Sequence, residues 1–133
     1  MSLERVNPSS LAPARGFSHA VVAQGRAVYL AGQTALDAQG RVVEGDVVAQ
    51  FDQALGNLLE ALRAAGGGPD ELVALTIYAV DLEDYRCRAR EIGKVWKRLV
   101  GSDYPAMAAI GVSRLWDVEA LVEIHGIAVL EER

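Results

Sequence analysis

The chain has a single cysteine, Cys87, only two histidines, His19 and His125, and a shortage of basic side chains, 13 against 18 acidic. One thiol excludes an intrachain disulfide, and nothing in the composition points to an oxidising compartment. Cys87, His19 and His125 lie far apart, without the close ligand spacing of a structural zinc site, so no metal is expected. A net charge of -5 lacks the basic footprint of a general nucleic-acid binder, so nucleic acid is not an expected partner. The longest near-apolar run, Leu72 to Val80, is about half the roughly 20 residues a spanning helix needs. The stretch from Met1 to Pro8 has no apolar run and does not read as a secretory signal. A cytoplasmic location without a membrane partner is the resulting expectation.

Phosphate-binding loops are absent as well. Gly66-Gly67-Gly68-Pro69 is not followed by the Lys-Ser/Thr pair that a P-loop needs, and Gly93-Lys94 runs into Val95. Gly111-Val112-Ser113-Arg114-Leu115 lacks the second glycine of a nucleophile elbow, so Ser113 reads as a strand-end residue.

What remains is an ordinary globular composition, 51% hydrophobic and 23% charged over 133 residues, enough for one domain. Residues 1–15, with Pro8 and Pro13, read as an N-terminal arm, and residues 16–133 as the domain. Phe17–Ala23 and Arg26–Ala31 flank Gln24-Gly25 and read as a β-hairpin. Arg41-Val42-Val43 reads as a short strand. Asp46 is a helix N-cap, and Val47, Phe51, Leu55, Leu58, Leu59 and Leu62 follow with helical spacing up to Gly66. Leu72–Val80 reads as a strand buried on both faces. A second helix is expected over Tyr85–Val100, then strands over Ala106–Val112 and Ala120–Leu130. The predicted architecture is α+β, one mixed sheet with two helices on one face. The other face is too apolar to meet water, so subunit association is expected to cover it.

Two features carry candidate chemistry. Arg86, Arg88, Arg90, Lys94, Lys97 and Arg98 hold nearly half of the 13 basic residues on the second helix. Acidic neighbours Asp81, Glu83, Asp84 and Glu91 partly neutralise them, which favours a solvated helix face over an RNA surface. On the last strand, alternation puts Leu121, Glu123, His125, Ile127 and Val129 on one face. A carboxylate on such an apolar stripe is costly unless paired or protonated, and desolvation suits it to proton transfer near neutral pH. A hydrogen-bonded structural pair with His125 explains the pattern equally well.

Five segments together resemble the RidA/YjgF family, the L-PSP endoribonuclease or translation-initiation-inhibitor family of the Rid superfamily. They are Ala31-Gly32-Gln33, Gln53-Ala54-Leu55-Gly56-Asn57-Leu58, Val80-Asp81-Leu82-Glu83-Asp84-Tyr85, Tyr104-Pro105-Ala106 and Leu121-Val122-Glu123-Ile124-His125-Gly126-Ile127-Ala128. They run in the family's order and spacing over nearly the whole chain. The resemblance implies a chorismate-mutase-like (YjgF/L-PSP) fold and a homotrimer with a barrel-like centre. A small-molecule cleft at each subunit interface would hydrolyse enamines and imines to keto acids and ammonia, with no cofactor and no metal.

Carried over residue by residue, the resemblance also marks departures. The arginine that clamps the substrate carboxylate in deaminating members is Met107 here, and a thioether makes none of its bidentate, charge-assisted bonds. The family's nearby cysteine is Ala109, its serine Ala31, its tyrosine Phe17 and its helix asparagine Ala89, while the acidic residue persists as Glu123. The implied pocket is lined by Phe17, Ala31, Gly32, Met107, Ala109 and Ile110, with Glu123 catalytic and His125, joined by His19, as further polar groups. Arg15 and Arg114 are candidates to replace the lost clamp. Two function classes stand side by side. One is a RidA-like hydrolase with a modified cleft, acting on imines, enamines or a less acidic relative. The other is a non-catalytic trimer that binds a small ligand or a protein. RNA cleavage or translation inhibition ranks last.

Overall fold

A computed structural model describes residues 3–131. Six strands and three α-helices follow one another as β1 Leu3–Val6, β2 Ala20–Ala23, β3 Arg26–Gln33, α1 Val47–Ala64, β4 Leu72–Ala79, α2 Leu82–Cys87, α3 Ala89–Leu99, β5 Ala106–Gly111 and β6 Val122–Leu130. Four strands form a mixed sheet in the order β3-β6-β4-β5, antiparallel except for the parallel β4/β5 pair. The α+β fold with one mixed sheet is as the sequence predicts.

α1 forms where the sequence places it. Asp46 accepts a hydrogen bond from the Ala49 amide at 3.0 Å, which satisfies one orphan donor of the first turn. Gly66, at φ +97°, takes the left-handed conformation that ends the helix. Val47, Phe51, Leu55, Leu58, Leu59 and Leu62 are all buried, and α1 lies across β3 and β6 with α3 beside it. The helix-facing residues of β6, Val122, Ile124, Ala128 and Leu130, are buried, while Glu123, His125, Ile127 and Val129 are half-buried on the opposite face.

Several expectations are corrected. Phe17–Ala23 and Arg26–Ala31 do not form a hairpin. β2 pairs with β1, from Leu3 opposite Ala23 to Val6 opposite Ala20, and β3 pairs with β6. A strand pattern specifies a buried face but not a partner. Here the arm supplies β1, and Gly25, at φ +147°, packs against the Leu130 carbonyl where a side chain would collide. β2 therefore crosses the end of the sheet. It leaves the β5 edge at Ser18, whose amide donates to Pro105 O at 2.9 Å, and feeds β3, whose Arg26 pairs with Leu130. Residues 41–43 form no strand, only a single bridge between Leu36 and Val42.

The second helix is broken in two. Asp81 caps α2 by accepting from the Asp84 amide at 3.1 Å, and the chain kinks at Arg88, at φ -103° and ψ 17°. Arg88 donates to Asp84 and to Asp46, both at 3.1 Å, so the kink ties α2 to the start of α1. β4 is not equally buried on its two faces. Leu72, Leu75, Ile77 and Ala79 are buried under the helices, and Thr76 and Tyr78 are half-buried on the open side.

Gly126 sits in the middle of β6, where a Cβ would collide with the Ala74 carbonyl and the Leu75 side chain. Backbone cannot yield there as a side-chain tip can. Gly126→Ala is expected to lower unfolding free energy by about 2 kcal/mol or more in urea denaturation, at an unchanged m-value.

Candidate functional site

Strand register decides which candidate side chains meet. Met107 pairs with Leu75 and Ala109 with Ile77, so both β5 side chains share the helix face of the sheet. They border a cavity of about 390 Å³ between β5, α2, α3 and the segment Arg15–Phe17. Phe17 borders it from that segment, Tyr85 and Ala89 from the helices, and Tyr104 from the loop before β5. Its walls are mostly hydrocarbon and aromatic ring. Trp96 and Tyr104 stack with centroids 5.4 Å apart, and the Trp96 indole N–H donates to Asp103 O at 3.1 Å. That bond occupies the indole. Burial pushes the Tyr85 hydroxyl up to about 12, so it stays protonated at neutral pH and can donate a hydrogen bond.

Glu123 and His125 have the other parity. They pair with Tyr78 and Thr76 and lie on the open face, with the sheet between them and the cavity. The Tyr78 ring meets the His125 ring edge to face at 5.3 Å, with the hydroxyl 3.5 Å from Nε2. A second hollow of about 260 Å³ lies on this face, bordered by Tyr29, Thr76, His125 and Ile127. Gly32 lies directly over the Glu123 carboxylate, where a Cβ would collide with it. The β3/β6 register is irregular between Leu30 and Gln33, and Ala31 is exposed at that irregularity. Ile110 pairs with Tyr78 on the open side and is 44% exposed.

Within one chain the candidate residues thus fall into two groups. Phe17, Met107, Ala109 and Arg15 border the cavity, while Ala31, Gly32, Ile110, Glu123 and His125 belong to the open face. His19 joins neither group. Its backbone amide donates to Asn7 Oδ1 at 2.7 Å, and its Nε2 lies 2.7 Å from Ala12 O. Arg114 is turned onto its own loop, donating to Leu115 O and Trp116 O. Tyr78, Tyr85 and Gly93 were not assigned to the pocket from sequence. For Tyr78 the signal was there, since β4 alternation with Leu75 and Ile77 inward leaves it outward.

The basic stripe is partly paired, Arg86 with Glu83 at 3.3 Å and Arg98 with Asp52. Among the described residues no three His, Cys, Asp or Glu side chains cluster as a metal site. No described helix is long and apolar enough to cross a membrane.

The sequence model of the family described as Endoribonuclease L-PSP matches residues 7–130. This chain belongs to that family. Among its L-PSP relatives, the RutC family protein UK114 of Drosophila melanogaster is 36% identical over 118 residues, covering 88% of this chain and 81% of that protein. The 2-iminobutanoate/2-iminopropanoate deaminase of Capra hircus is 36% identical over 123 residues, covering 92% and 83%. The crystal structure of YyfB from Yersinia pestis, of the Rid protein family, superposes with a TM-score of 0.88 at 38% identity, covering 98% of this chain and all of that one. The YjgF/L-PSP fold expected from the five segments is therefore the fold of this chain.

In this L-PSP protein the Gln53-to-Leu58 segment is structural. Gln53 and Asn57 donate to Leu36 O at 3.1 and 2.9 Å, and Asn57 also to Thr34 O at 3.2 Å. These bonds hold the loop that follows Gly32. Gly32→Ala is expected to push the Glu123 carboxylate aside while leaving the melting temperature within a few degrees, because a flexible carboxylate end yields cheaply. A crystal structure of the variant with Glu123 unmoved would refute this. Ionisation of Tyr85 is disfavoured in the folded state, so the stability tied to it is complete below pH 10 and declines as the pH rises toward 12. Tyr85→Phe should flatten that alkaline decline in pH-dependent denaturation.

Proposed function

We propose that this chain is a RidA-like hydrolase of small imines or enamines. It works as a homotrimer whose clefts join the cavity of one copy to the Glu123 face of the next. The observation that supports this reading is the separation just described. The cavity has no carboxylate on its walls, and Glu123 lies across the sheet from it. A cleft holding both therefore needs two copies. The open face also leaves Tyr29 at 78% exposure, in keeping with a surface that meets another chain. The deaminase relative of Capra hircus supports the reaction class.

In this scheme Glu123 takes a proton from water as the water oxygen bonds to the imine carbon. Glu123 returns that proton to the nitrogen, giving a carbinolamine; the hydroxyl proton then passes to the nitrogen by the same carboxylate, the C–N bond breaks, and a ketone and ammonia leave. His125, whose observed partner is Tyr78 rather than Glu123, shares the Glu123 face as a second proton carrier or as a structural residue. Met107 adds no charge at the position of the clamp arginine. The cleft then favours a substrate body more apolar than 2-iminopropanoate.

A coupled assay of freshly generated 2-iminobutanoate tests the reaction. Wild type is expected to be active and Glu123→Gln to lose on the order of 10²–10⁴-fold in kcat. Turnover unchanged by Glu123→Gln would remove its assigned role, and binding without turnover in wild type would favour a ligand-binding trimer. Met107→Arg is expected to raise kcat/KM for 2-iminopropanoate. Light scattering should return three protomer masses, and a monomer at micromolar concentration would overturn the shared cleft.

A further inference from the structure

Of the residues bordering the 390 Å³ cavity, only Arg15 carries a charge at neutral pH. Among the described residues its guanidinium has no ion-pair partner, since the pairs formed use Arg5, Arg63, Arg86, Arg88 and Arg98. Arg114 is committed to carbonyls of its own loop. A cation at the edge of an apolar cavity, without a protein carboxylate, is available to a ligand anion.

The local backbone fixes where Arg15 sits. Gly16 adopts φ +75°, yet a Cβ there would meet nothing within 4 Å. The glycine serves the left-handed turn rather than a tight fit, and that turn brings both of its neighbours, Arg15 and Phe17, to the cavity. The next residue is pinned. Ser18 Oγ donates to Tyr104 O at 2.6 Å and its amide to Pro105 O at 2.9 Å, just before the strand that carries Met107. The Phe17 ring meets His19 edge to face at 5.0 Å, and His19 is bonded to the arm. Opposite this segment, Gly93 lies within α3 where a side chain has open space. Glycine inside a helix is unfavourable relative to alanine, and here its absent side chain leaves the cavity deeper.

We infer that Arg15 is the anion-binding, specificity-determining residue of this cavity, pairing with the carboxylate of an α-imino or α-oxo acid. The acid's hydrocarbon chain lies against Phe17, Met107 and Ile92. The protonated Tyr85 hydroxyl supplies a neutral second donor. The inference rests on the imine-hydrolase reading for its ligand class and adds the residue that holds the ligand's charge, but the binding itself is a property of one chain's cavity and is measured without turnover.

Titration calorimetry with 2-oxohexanoate and its methyl ester tests it on the intact protein. Wild type is expected to bind the acid more tightly than the ester. Arg15→Gln should weaken the acid by about tenfold to a hundredfold, the worth of a hydrogen bond to a charged group, and leave the ester unchanged. Arg15→Lys should fall between the two, and Arg114→Gln should match wild type. Gly93→Leu should abolish binding of both ligands by filling the cavity. Acid binding in Arg15→Gln within twofold of wild type, equal affinity for acid and ester, no wild-type binding of the acid, or binding that survives Gly93→Leu would each overturn the inference. Arg15-dependent binding in a protein that turns over no imine would sink the hydrolase reading and leave this one standing. Turnover whose kcat/KM is unmoved by Arg15→Gln would do the reverse.

Discussion

Side-chain amides on α1, buried at Gln50 and half-buried at Gln53 and Asn57, hold both loops on which the Glu123 face depends. Gln50, 3% exposed, accepts from the Leu121 amide at 2.8 Å and donates to Glu119 O at 3.2 Å. It thus sets the start of β6 one residue before Val122. One turn further on, Gln53 and Asn57 bond to Leu36 and Thr34 and set the end of β3. The loops themselves carry orphan carbonyls and amides that would otherwise lie buried without partners, at about 1–3 kcal/mol each. One helix therefore fixes the distance between Gly32 and Glu123. The same helix supplies the apolar face on which the sheet packs, so core and site share one source of rigidity.

The sheet acts as a partition. Its helix side holds an apolar cavity edged by one arginine, and its open side holds a carboxylate together with an imidazole whose Nε2 lies 3.5 Å from a phenol hydroxyl. Placing them together on one side would set a desolvated carboxylate beside a cation in an apolar wall, where mutual neutralisation competes with ligand binding. Separation keeps both groups available. It also leaves Met107 free to serve as wall rather than as a charge. The cavity wall on β5 is covered by helices and tolerates a thioether as packing, while the exposed turn at Gly16 accepts a charged neighbour without burying it.

The α+β class, the α1 boundaries and its buried stripe were legible in the sequence, because an Asp cap, helical spacing and a glycine stop all agree at Asp46 to Gly66. The parity of Glu123 and His125 on β6 was legible for the same reason, a long uninterrupted alternation. Strand partnership was not. Ala20–Ala23 is short and apolar, and its pattern is equally compatible with pairing to β1 or β3. The α2/α3 break was hidden because Arg88 is a good helix former, and its kink comes from bonds to Asp84 and Asp46, the latter 42 residues away. The candidate residues could not be sorted between the two faces of the sheet from sequence, because sorting needs the β4/β5 and β4/β6 registers together. Tyr85 and Gly93 border the cavity from the two helices on either side of that kink.

The partition has a genetic corollary. In the proposed trimer, where one copy's cavity works with the next copy's Glu123, a chain spoiled at Arg15 and a chain spoiled at Glu123 each still carry one sound half. Two such null alleles in one cell would assemble mixed rings in which some clefts are whole. They would complement each other, whereas two alleles damaged on the same face of the sheet would not.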